Sequence, residues 1–424
     1  MKLRRALVVL VAGAVVTVAC SPDDPTPAST GSADSEAATD TTDAPSATAS
    51  STPSPDTTGT SPDVDARSPQ VRGATERWPT DWSSTTIDLA ELALGIPSQD
   101  PRDAIPPLYS ATYTTVAEGA EWLGPRDPGA LVEVGDEVRF YPLAIMTRHE
   151  IVNDVIDGVP VAVTYCPLCN TALAFERRVN GEEIQLGVSG LLRNSDMVMW
   201  DHETVSLWQQ ITGEAVVGEL AGTRLPRLST AIVSFAEVQE NFPDAAVLDR
   251  DTGFGIAYGS NPYRGYSSQP APYPSFADAP EDTRIPALER VVGVTIDGAD
   301  KAYPFSVLEQ QPAINDVVAG VPIVVLWGGD TADALDEGLI SDSRAVGTGI
   351  AFLATLDGQV LTFEPADDGT FADTQTGSTW TLPGRAVDGP LEGSRLEVAP
   401  HRNEFWFAFA AFFPDAEVYG VEEE

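Results

Sequence analysis

The residues best suited to chemistry are two closely spaced cysteines, Cys166 and Cys169, separated by Pro-Leu. A Cys-x-x-Cys pair places two soft sulfur ligands on one turn, which is typical of Zn(II) sites and also suits Cu(I). The same thiols could exchange electrons, form a structural disulfide or supply a nucleophile. The residue types alone leave these functions open.

Imidazole and thioether groups near the cysteines in sequence add further candidate ligands. The nearest are His149, Met197, Met199 and His202. Met197 and Met199 point to the same face of a predicted strand, where ordinary core packing is their competing role. His202 is expected in an exposed hairpin turn. We therefore predict a soft-metal site, copper in the first place and zinc as the alternative, formed by Cys166 with Cys169 or His149, and by Met199.

Two alternatives to a metal site rest on the same thiols. In the first, Cys166 is a nucleophile and His149 its base, with Glu150, Asn153 or Asp154 orienting the imidazole. In the second, the pair forms a disulfide in a binding module without catalytic activity. A thioredoxin-like redox site is less favoured, because a strand and not a helix is predicted after Cys169, so no helix N-terminus would stabilise a thiolate.

The element that must position the cysteines is a β-branched run, 159–166, which follows an Asp157-Gly158 turn signal. Such a run is typical of a half-buried strand, so both thiols are expected at a strand end. Asn170 can adopt a positive φ, which favours a tight loop between two strands. Further strand pairs are predicted around Gly135-Asp136, Asn180-Gly181 and His202-Glu203, and helices at 115–123 and 234–243.

An internal repeat organises the chain. Residues 141–163 and 303–325 share nine identities in 23 ungapped positions, including Asn-Asp-Val and Gly-Val-Pro. The match resumes where Asp201, Thr204, Ser206 and Trp208 align with Asp373, Thr376, Ser378 and Trp380. Shared residues should serve the fold, and the Asn-Asp pair is assigned to a turn. Cys166, Cys169 and His149 align with Gly328, Thr331 and Gln311, so only the first copy carries the reactive side chains.

The N-terminal residues are typical of an export signal that ends in a lipid-anchored cysteine. Lys2, Arg4 and Arg5 precede an apolar run at 6–18, and Ala19-Cys20 closes it. This run is too short to span a bilayer. We predict that Cys20 is lipidated and holds the protein at the outer face of a membrane. Residues 21–80, rich in Ser, Thr, Pro and Asp, are predicted to be a disordered tether.

Composition and charge limit the classes of partner. The chain has 424 residues, a formal net charge of −40 and 42% hydrophobic residues. This length and hydrophobic content suffice for two domains of ordinary size. The acidic balance argues against a nucleic-acid partner, because a phosphate backbone would be repelled, whereas cations would be attracted.

Several long motifs together resemble one uncharacterised family. They are Tyr141-Pro-Leu143, 148–154, Gly158 to Cys169, 187–190, Asn194-Ser-Asp196 and 206–209. Over 85–424 the chain is similar to the family labelled domain of unknown function 3179. The resemblance implies an exported bacterial or archaeal protein and supplies no settled activity. Members generally carry Cys-Pro-Leu followed by Cys or Thr, so the match is firmer at Cys166 than at Cys169.

These observations predict a β-rich α+β fold of two tandem homologous modules, built from hairpins with about one helix each. The predicted boundaries are a lipoprotein signal peptide at 1–20, a tether at 21–80, an N-terminal folded segment at 81–129, a first module at 130–250, an irregular connector at 251–289 and a degenerate second module at 290–424. The protein is predicted to act outside the cytoplasm, where its first module binds a soft metal ion or carries out thiol chemistry.

Overall fold

The computed structural model describes residues 65–273, 281–366 and 368–421. The predicted signal peptide, Cys20 and most of the predicted tether lie outside these residues. Folded structure nevertheless reaches into the C-terminal end of the predicted tether, because a helix at Pro69–Thr75 is capped by the Ser68 side chain and buries Val71. The described residues are β-rich with few helices, which confirms the predicted fold class.

The α-helices of the described residues are short. They are α1 (Pro69–Thr75), α2 (Val116–Gly119), α3 (Leu143–His149), α4 (Phe235–Asn241), α5 (Phe305–Leu308) and α6 (Trp406–Phe412). As predicted, α4 begins after Ser234, whose hydroxyl accepts the Glu237 N–H. The helix predicted at 115–123 is limited to α2, which carries a Thr115–Glu118 capping box. Among the described residues there is no helix with both the length and the apolar character needed to cross a membrane.

The strands up to residue 250 form three sheets and one small hairpin. In chain order they are β1 (Ala93–Leu94), β2 (Tyr113–Thr115), β3 (Pro128–Val134), β4 (Glu137–Pro142), β5 (Ile151–Ile156), β6 (Val159–Cys166), β7 (Thr171–Glu176), β8 (Arg178–Val179), β9 (Glu182–Glu183), β10 (Leu186–Arg193), β11 (Asp196–Asp201), β12 (Leu207–Gln209), β13 (Glu214–Val217), β14 (Arg227–Leu228), β15 (Thr230–Ser234) and β16 (Ala246–Leu248). The sheet orders are β15-β3-β4-β16-β2, β14-β7-β6-β5 and β1-β10-β11-β12-β13, and β8 pairs with β9.

The strands after residue 289 repeat much of this plan. They are β17 (Arg290–Ile296), β18 (Ala299–Pro304), β19 (Ala313–Val318), β20 (Val321–Gly328), β21 (Thr348–Leu353), β22 (Thr355–Leu356), β23 (Gln359–Val360), β24 (Phe363–Pro365), β25 (Phe371–Asp373), β26 (Thr379–Trp380), β27 (Ala386–Asp388), β28 (His401–Phe405) and β29 (Glu417–Val418). Their orders are β28-β17-β18-β29, β19-β20-β21 and β24-β25-β26-β27, with β22 paired to β23. Corresponding strands pair in the same direction in the two halves: β17 is antiparallel to β28 as β3 is to β15, and β19 is antiparallel to β20 as β5 is to β6.

The apolar clusters cross the boundary between the two halves. One contains Phe140 and Phe235 together with Phe352 and Trp380. Another packs Cys166 with residues of the second half, including Leu335 and Phe405. The halves therefore share their core, and the existence of two tandem homologous modules stays a prediction.

The repeated Asn-Asp pair was assigned to a turn, and this assignment is wrong. Asn153 and Asp154 lie within β5 and are buried. The Asn153 side chain accepts from the Leu186 N–H (2.9 Å) and donates to the Leu186 carbonyl (2.8 Å), which fastens β5 to β10. Asn315 makes the same two bonds to Phe363. The Asn-Asp pair recurs because its asparagine joins an edge strand to a strand of the next sheet in each half. Its similarity between the two halves therefore has a structural cause.

Candidate functional site

The two cysteines lie at the end of β6 and in the four-residue loop that joins it to β7. Cys166 is the last residue of β6 and pairs with Thr171 of β7. Asn170 has φ +55° and donates its N–H to the Pro167 carbonyl at 3.2 Å, so the positive φ predicted for it is confirmed. As predicted, a strand and not a helix follows the loop.

Distant segments hold this loop in place. The Phe405 N–H of β28 donates to the Cys169 carbonyl at 2.9 Å. The Tyr266 hydroxyl, from the segment between the halves, donates to the Leu168 carbonyl, also at 2.9 Å. The loop conformation therefore depends on both halves of the chain, which is why local sequence patterns could not specify it.

A second tight turn brings a carboxylate to the thiols. Asn194 and Ser195 both have positive φ values, +50° and +62°, which is the conformation of a type I′ hairpin turn between β10 and β11. The Ser195 carbonyl accepts the Cys166 thiol at a sulfur–oxygen distance of 3.6 Å. Asp196 follows as the first residue of β11.

Cys166, Cys169 and Asp196 form a compact, buried donor set. Their sulfur and carboxylate oxygen atoms all lie within 4.8 Å of one another. Cys166 is 2% exposed and the other two are fully buried. Both thiols are free, so the disulfide considered as an alternative is not formed in this structure.

The cluster is electrostatically unusual because no arginine, lysine or histidine among the described residues forms an ion pair with its carboxyl. One oxygen of Asp196, Oδ2, accepts from the Gln209 side chain at 2.5 Å and the Ile211 N–H at 3.0 Å. The other, Oδ1, is buried without a hydrogen bond of standard geometry. Burial raises the pKa of Asp196 to about 7, although these donors and the Cys169 thiol lower it. Burial and the Cys166 side chain raise the pKa of the Cys169 thiol well above its usual value.

Two more buried carboxyls surround this set. Glu404 of β28 accepts from the Thr171 hydroxyl at 3.5 Å and contacts Arg402 at 3.0 Å. Burial raises the pKa of Glu404 to about 7, Arg402 opposes the shift, and Asp196 adds to it. Burial likewise raises the pKa of Glu150 to about 7, against a hydrogen bond from the Tyr263 hydroxyl at 3.2 Å.

A cavity of about 180 Å³ opens beside Cys166. Its wall is mainly apolar and includes Leu168, Leu191 and Met197, with Glu150 as the acidic group. Glu150 follows α3 with φ +58°, a strained conformation for a residue with a side chain. A small molecule in this cavity would contact both a thiol and a carboxyl.

The other predicted ligands are placed apart from the cluster. Both imidazole nitrogens of buried His149 are engaged: Nδ1 lies 2.6 Å from the Pro106 carbonyl and Nε2 lies 2.6 Å from the Tyr258 hydroxyl. Burial lowers the pKa of His149. No hydrogen bond among the described residues joins His149 to Cys166, whose partner is the Ser195 carbonyl.

The methionines and the second histidine take different places. Met197 and Met199 are both buried in the apolar cluster that contains the two cysteines, and Met197 also lines the cavity next to Cys166. His202 lies in the turn after β11, as predicted, where it stacks on Trp200 and lies 2.8 Å from the Tyr109 hydroxyl. The imidazoles of His149 and His202 therefore have hydrogen-bond partners away from the thiols, whereas both methionines pack in the same cluster as the cysteines.

Asp196 and Glu404 were not predicted as site residues. Asp196 stands in the Asn194-Ser-Asp196 motif, and an Asn-Ser pair between two β-branched or apolar runs is the signal that could have placed it at a hairpin end. Glu404 has no such signal, because it reaches the loop through the pairing of β28 with β17 and the packing of the second half.

Comparisons with known proteins place the chain in a broad context. A family model described as "Protein of unknown function (DUF3179)" matches residues 102–416. Neither the curated proteins nor the solved structures contain a significant match.

Proposed function

Since the chain belongs to this family of proteins of unknown function, we propose from its own site that it is an extracytoplasmic protein that binds one soft divalent metal ion, zinc in the first place. The ligands are Cys166, Cys169 and Asp196. The observation that carries the proposal is that their donor atoms lie within 4.8 Å of one another, fully enclosed by protein.

The unsatisfied atom in this cluster supports a cation. A buried carboxylate oxygen without a donor costs free energy, on the order of 1–3 kcal/mol. Asp196 Oδ1 has no hydrogen bond of standard geometry, and the Cys169 thiol, which interacts with this carboxyl, belongs to the same cluster. A metal ion would satisfy this oxygen and would displace the thiol protons, since only thiolates coordinate metals.

The donor set favours zinc over copper. Two thiolates with one carboxylate suit Zn(II), whose usual ligands are sulfur, imidazole and carboxylate. Cu(I) prefers thiolate and thioether ligands alone, whereas this donor set includes the Asp196 carboxylate. Three protein ligands would leave a fourth coordination position, and the cavity beside Cys166 offers space for it.

A thiol pair is the second candidate, favoured by one observation. The Cys166 and Cys169 side chains interact directly while both thiols are free, so oxidation could join them in a disulfide. The raised pKa of Cys169 disfavours rapid attack by that thiol. A Cys166 nucleophile with His149 as base has less support, because both nitrogens of His149 are engaged elsewhere.

Export and lipid anchoring belong to the same proposal. The charged start, the apolar run and Ala19-Cys20 support a lipid-anchored protein at the outer face of a membrane. In that location thiols are prone to oxidation, and a bound metal would protect them as thiolate ligands.

The test is elemental analysis of the purified chain carrying Cys20→Ser, so that Cys166 and Cys169 are its only cysteines. We expect one zinc per chain after reconstitution under reducing conditions. Cys166→Ser, Cys169→Ser and Asp196→Asn should each lose it, whereas Met199→Leu should retain it as the matched control. Loss on Met199→Leu would instead indicate a copper-type thioether site.

Two results would overturn the metal proposal. A metal-free protein with a disulfide between Cys166 and Cys169, identified by mass spectrometry, would support the thiol pair. A metal-free protein in which Cys166 is alkylated rapidly, at a rate that falls in His149→Gln, would support the nucleophile.

A further inference from the structure

A second cavity, separate from the cysteine cluster, is lined by an arginine that forms no ion pair with a described carboxylate. It has a volume of about 170 Å³ and lies between β14 and β28, with Arg227, Ser229, Thr230 and His401 in its wall. An Arg227 Nη2 donates to the His401 carbonyl at 2.6 Å, which joins the two walls. None of these residues lines the cavity beside Cys166.

Arg227 is unusual because no described carboxylate forms an ion pair with it. The chain has 64 acidic and only 24 basic side chains, and most of the described arginines are paired with Asp or Glu. Burial and, to a smaller extent, Arg402 lower the pKa of Arg227 to about 9, and Glu404 opposes the shift. The guanidinium therefore remains charged at neutral pH and keeps donors available to an anion.

His401 supplies the second observation. The side chain is 4% exposed, and its Nδ1 lies 2.9 Å from the Ala399 carbonyl. Because a carbonyl only accepts, Nδ1 carries the proton, and Nε2 of the neutral ring is an acceptor. Nε2 is buried and has no hydrogen-bond partner. Burial and the two neighbouring arginines lower the pKa of His401 to about 4, so the ring is neutral at pH 7.

From this combination of a free cationic donor and a free buried acceptor, we propose that the cavity binds a phosphate group that still carries a proton. The guanidinium of Arg227 would bind two phosphate oxygens, which is the geometry that arginine offers to oxyanions. The P–OH group would donate to His401 Nε2. Since a water molecule takes up about 30 Å³ of the liquid, a cavity of about 170 Å³ has room for a phosphate ion.

The acceptor makes the proposed site selective. Sulfate has the same shape and charge class as phosphate but carries no proton at neutral pH, so it would leave Nε2 unsatisfied. Sites built to accept a hydrogen bond reject analogues that lack the donor. The phosphate group has two sources, the free inorganic ion and the end of a phosphomonoester. Inorganic phosphate keeps a P–OH in both forms present near neutral pH, whereas a phosphomonoester, with a second pKa of about 6, presents a P–OH mainly at or below that pH.

Isothermal titration of the full-length chain in detergent at pH 6, where both phosphate probes carry a P–OH and His401 is still neutral, tests this proposal, with inorganic phosphate, glycerol 3-phosphate and sulfate as separate probes. We expect phosphate to bind about tenfold more tightly than sulfate. Binding of glycerol 3-phosphate with equal or greater affinity would assign the monoester as the ligand, and weaker binding would assign the free ion. Equal affinity for phosphate and sulfate, or absence of phosphate binding, would overturn the proposal.

Two variants and one control locate the binding. Arg227→Gln should weaken phosphate binding about tenfold or more, and His401→Phe should remove the preference for phosphate over sulfate. Arg224→Gln is the matched control, since Arg224 is exposed and paired with Glu214, and it should bind as the unmodified chain does. Unchanged binding in Arg227→Gln would exclude this cavity. If His401→Phe fails to fold, His401→Gln, which retains an acceptor, should keep the preference, and its loss there would contradict the role of Nε2.

Discussion

Replacing Asp196 by Asn should stabilise the metal-free protein at alkaline pH while it abolishes metal binding. In the folded chain Asp196 is buried without an ion pair to any described residue, and its pKa is raised to about 7. In the unfolded chain the pKa returns to about 3.9. Between these values the folded state holds a proton that the unfolded state has lost, so the free energy of unfolding falls as pH rises.

The magnitude follows from the two pKa values. Each pH unit between them costs about 1.4 kcal/mol, and the cost ends once pH exceeds the folded pKa. From pH 5 to pH 8, Asp196 therefore removes about 2–3 kcal/mol of stability. An Asn side chain has no such dependence, and its oxygen can keep the hydrogen bonds from Gln209 and Ile211. Glu150 and Glu404 are present in both proteins, so their own titration largely cancels in the comparison.

The assay is urea unfolding at pH 5 and pH 8 with a chelator and a reductant, in the Cys20→Ser background. The stability of Asp196→Asn relative to its parent should increase by about 2–3 kcal/mol between the two pH values. With zinc in excess the order should reverse, because only the parent gains binding free energy. If Asp196→Asn is no more stable than its parent at pH 8 without metal, the carboxyl is not an uncompensated buried charge and the reasoning fails.

Asp373, in the second half, provides a control whose effect on stability should depend on pH in the opposite direction. Burial raises the pKa of Asp373, but hydrogen bonds from Trp380 and Thr376 outweigh it, and the net shift is downward. Asp373 therefore stabilises the fold above its unfolded pKa, and this contribution is lost as pH falls. Asp373→Asn should lower stability at pH 8 by more than at pH 3. If the stability of Asp373→Asn and of Asp196→Asn, each relative to the parent, changed in the same direction as pH rises, the assay would have measured a general pH effect.

Three further outcomes are expected. Zinc affinity, measured by competition with a chromogenic chelator, should rise about tenfold or more per pH unit from pH 6 to pH 8, because binding must release at least one proton from the cluster; a flat profile would contradict thiolate ligation. Cys20→Ser should move the protein from the membrane fraction to the medium, and retention in the membrane would refute lipid anchoring. Asn153→Ala should destabilise the chain by about 2–4 kcal/mol, since it leaves two buried backbone groups of Leu186 without hydrogen bonds. Asn315→Ala, at an exposed position with the same bonds, should cost about 1 kcal/mol. Equal losses of stability in the two variants would show that burial does not set the cost.

Local patterns predicted the elements whose signals are local. The strand 159–166 follows from its β-branched residues, and the Asp157-Gly158 turn before it has both φ values positive. The serine cap of α4 and the positive φ of Asn170 follow equally from side-chain chemistry. The prediction of a turn at the Asn-Asp pair was wrong because the same polar side chains suit both turns and strand edges. Only the partner strand, β10 for Asn153, decides between these roles.

The site was predictable in its thiols and not in its carboxyls. Cys-Pro-Leu-Cys is recognisable from spacing alone, whereas Asp196 reaches the thiols because two hairpin turns meet in space. His149 was a reasonable ligand by residue type, but the helix α3 directs it to Pro106 and Tyr258. Sequence distance thus gave a wrong order of proximity: a residue 30 positions after Cys166 joins the cluster, and one 17 positions before it does not.

The fold shows elsewhere how it satisfies a buried carboxylate. Asp333 in the second half is fully buried, and it is bound by Arg290 at 2.7 Å, Arg344 at 3.0 Å and the Ser267 hydroxyl at 2.7 Å. Burial raises the pKa of Asp333, but these partners, Arg290 above all, bring it below the ordinary value.

No described arginine or lysine forms an ion pair with Asp196, which is equally buried and lies among two thiols. A chain that supplies two arginines to one buried carboxylate and none to the other has left the second without its counter-charge. A divalent ion on Asp196, Cys166 and Cys169 would supply that charge, which is why the contrast between Asp333 and Asp196 favours a metal over a purely structural cluster.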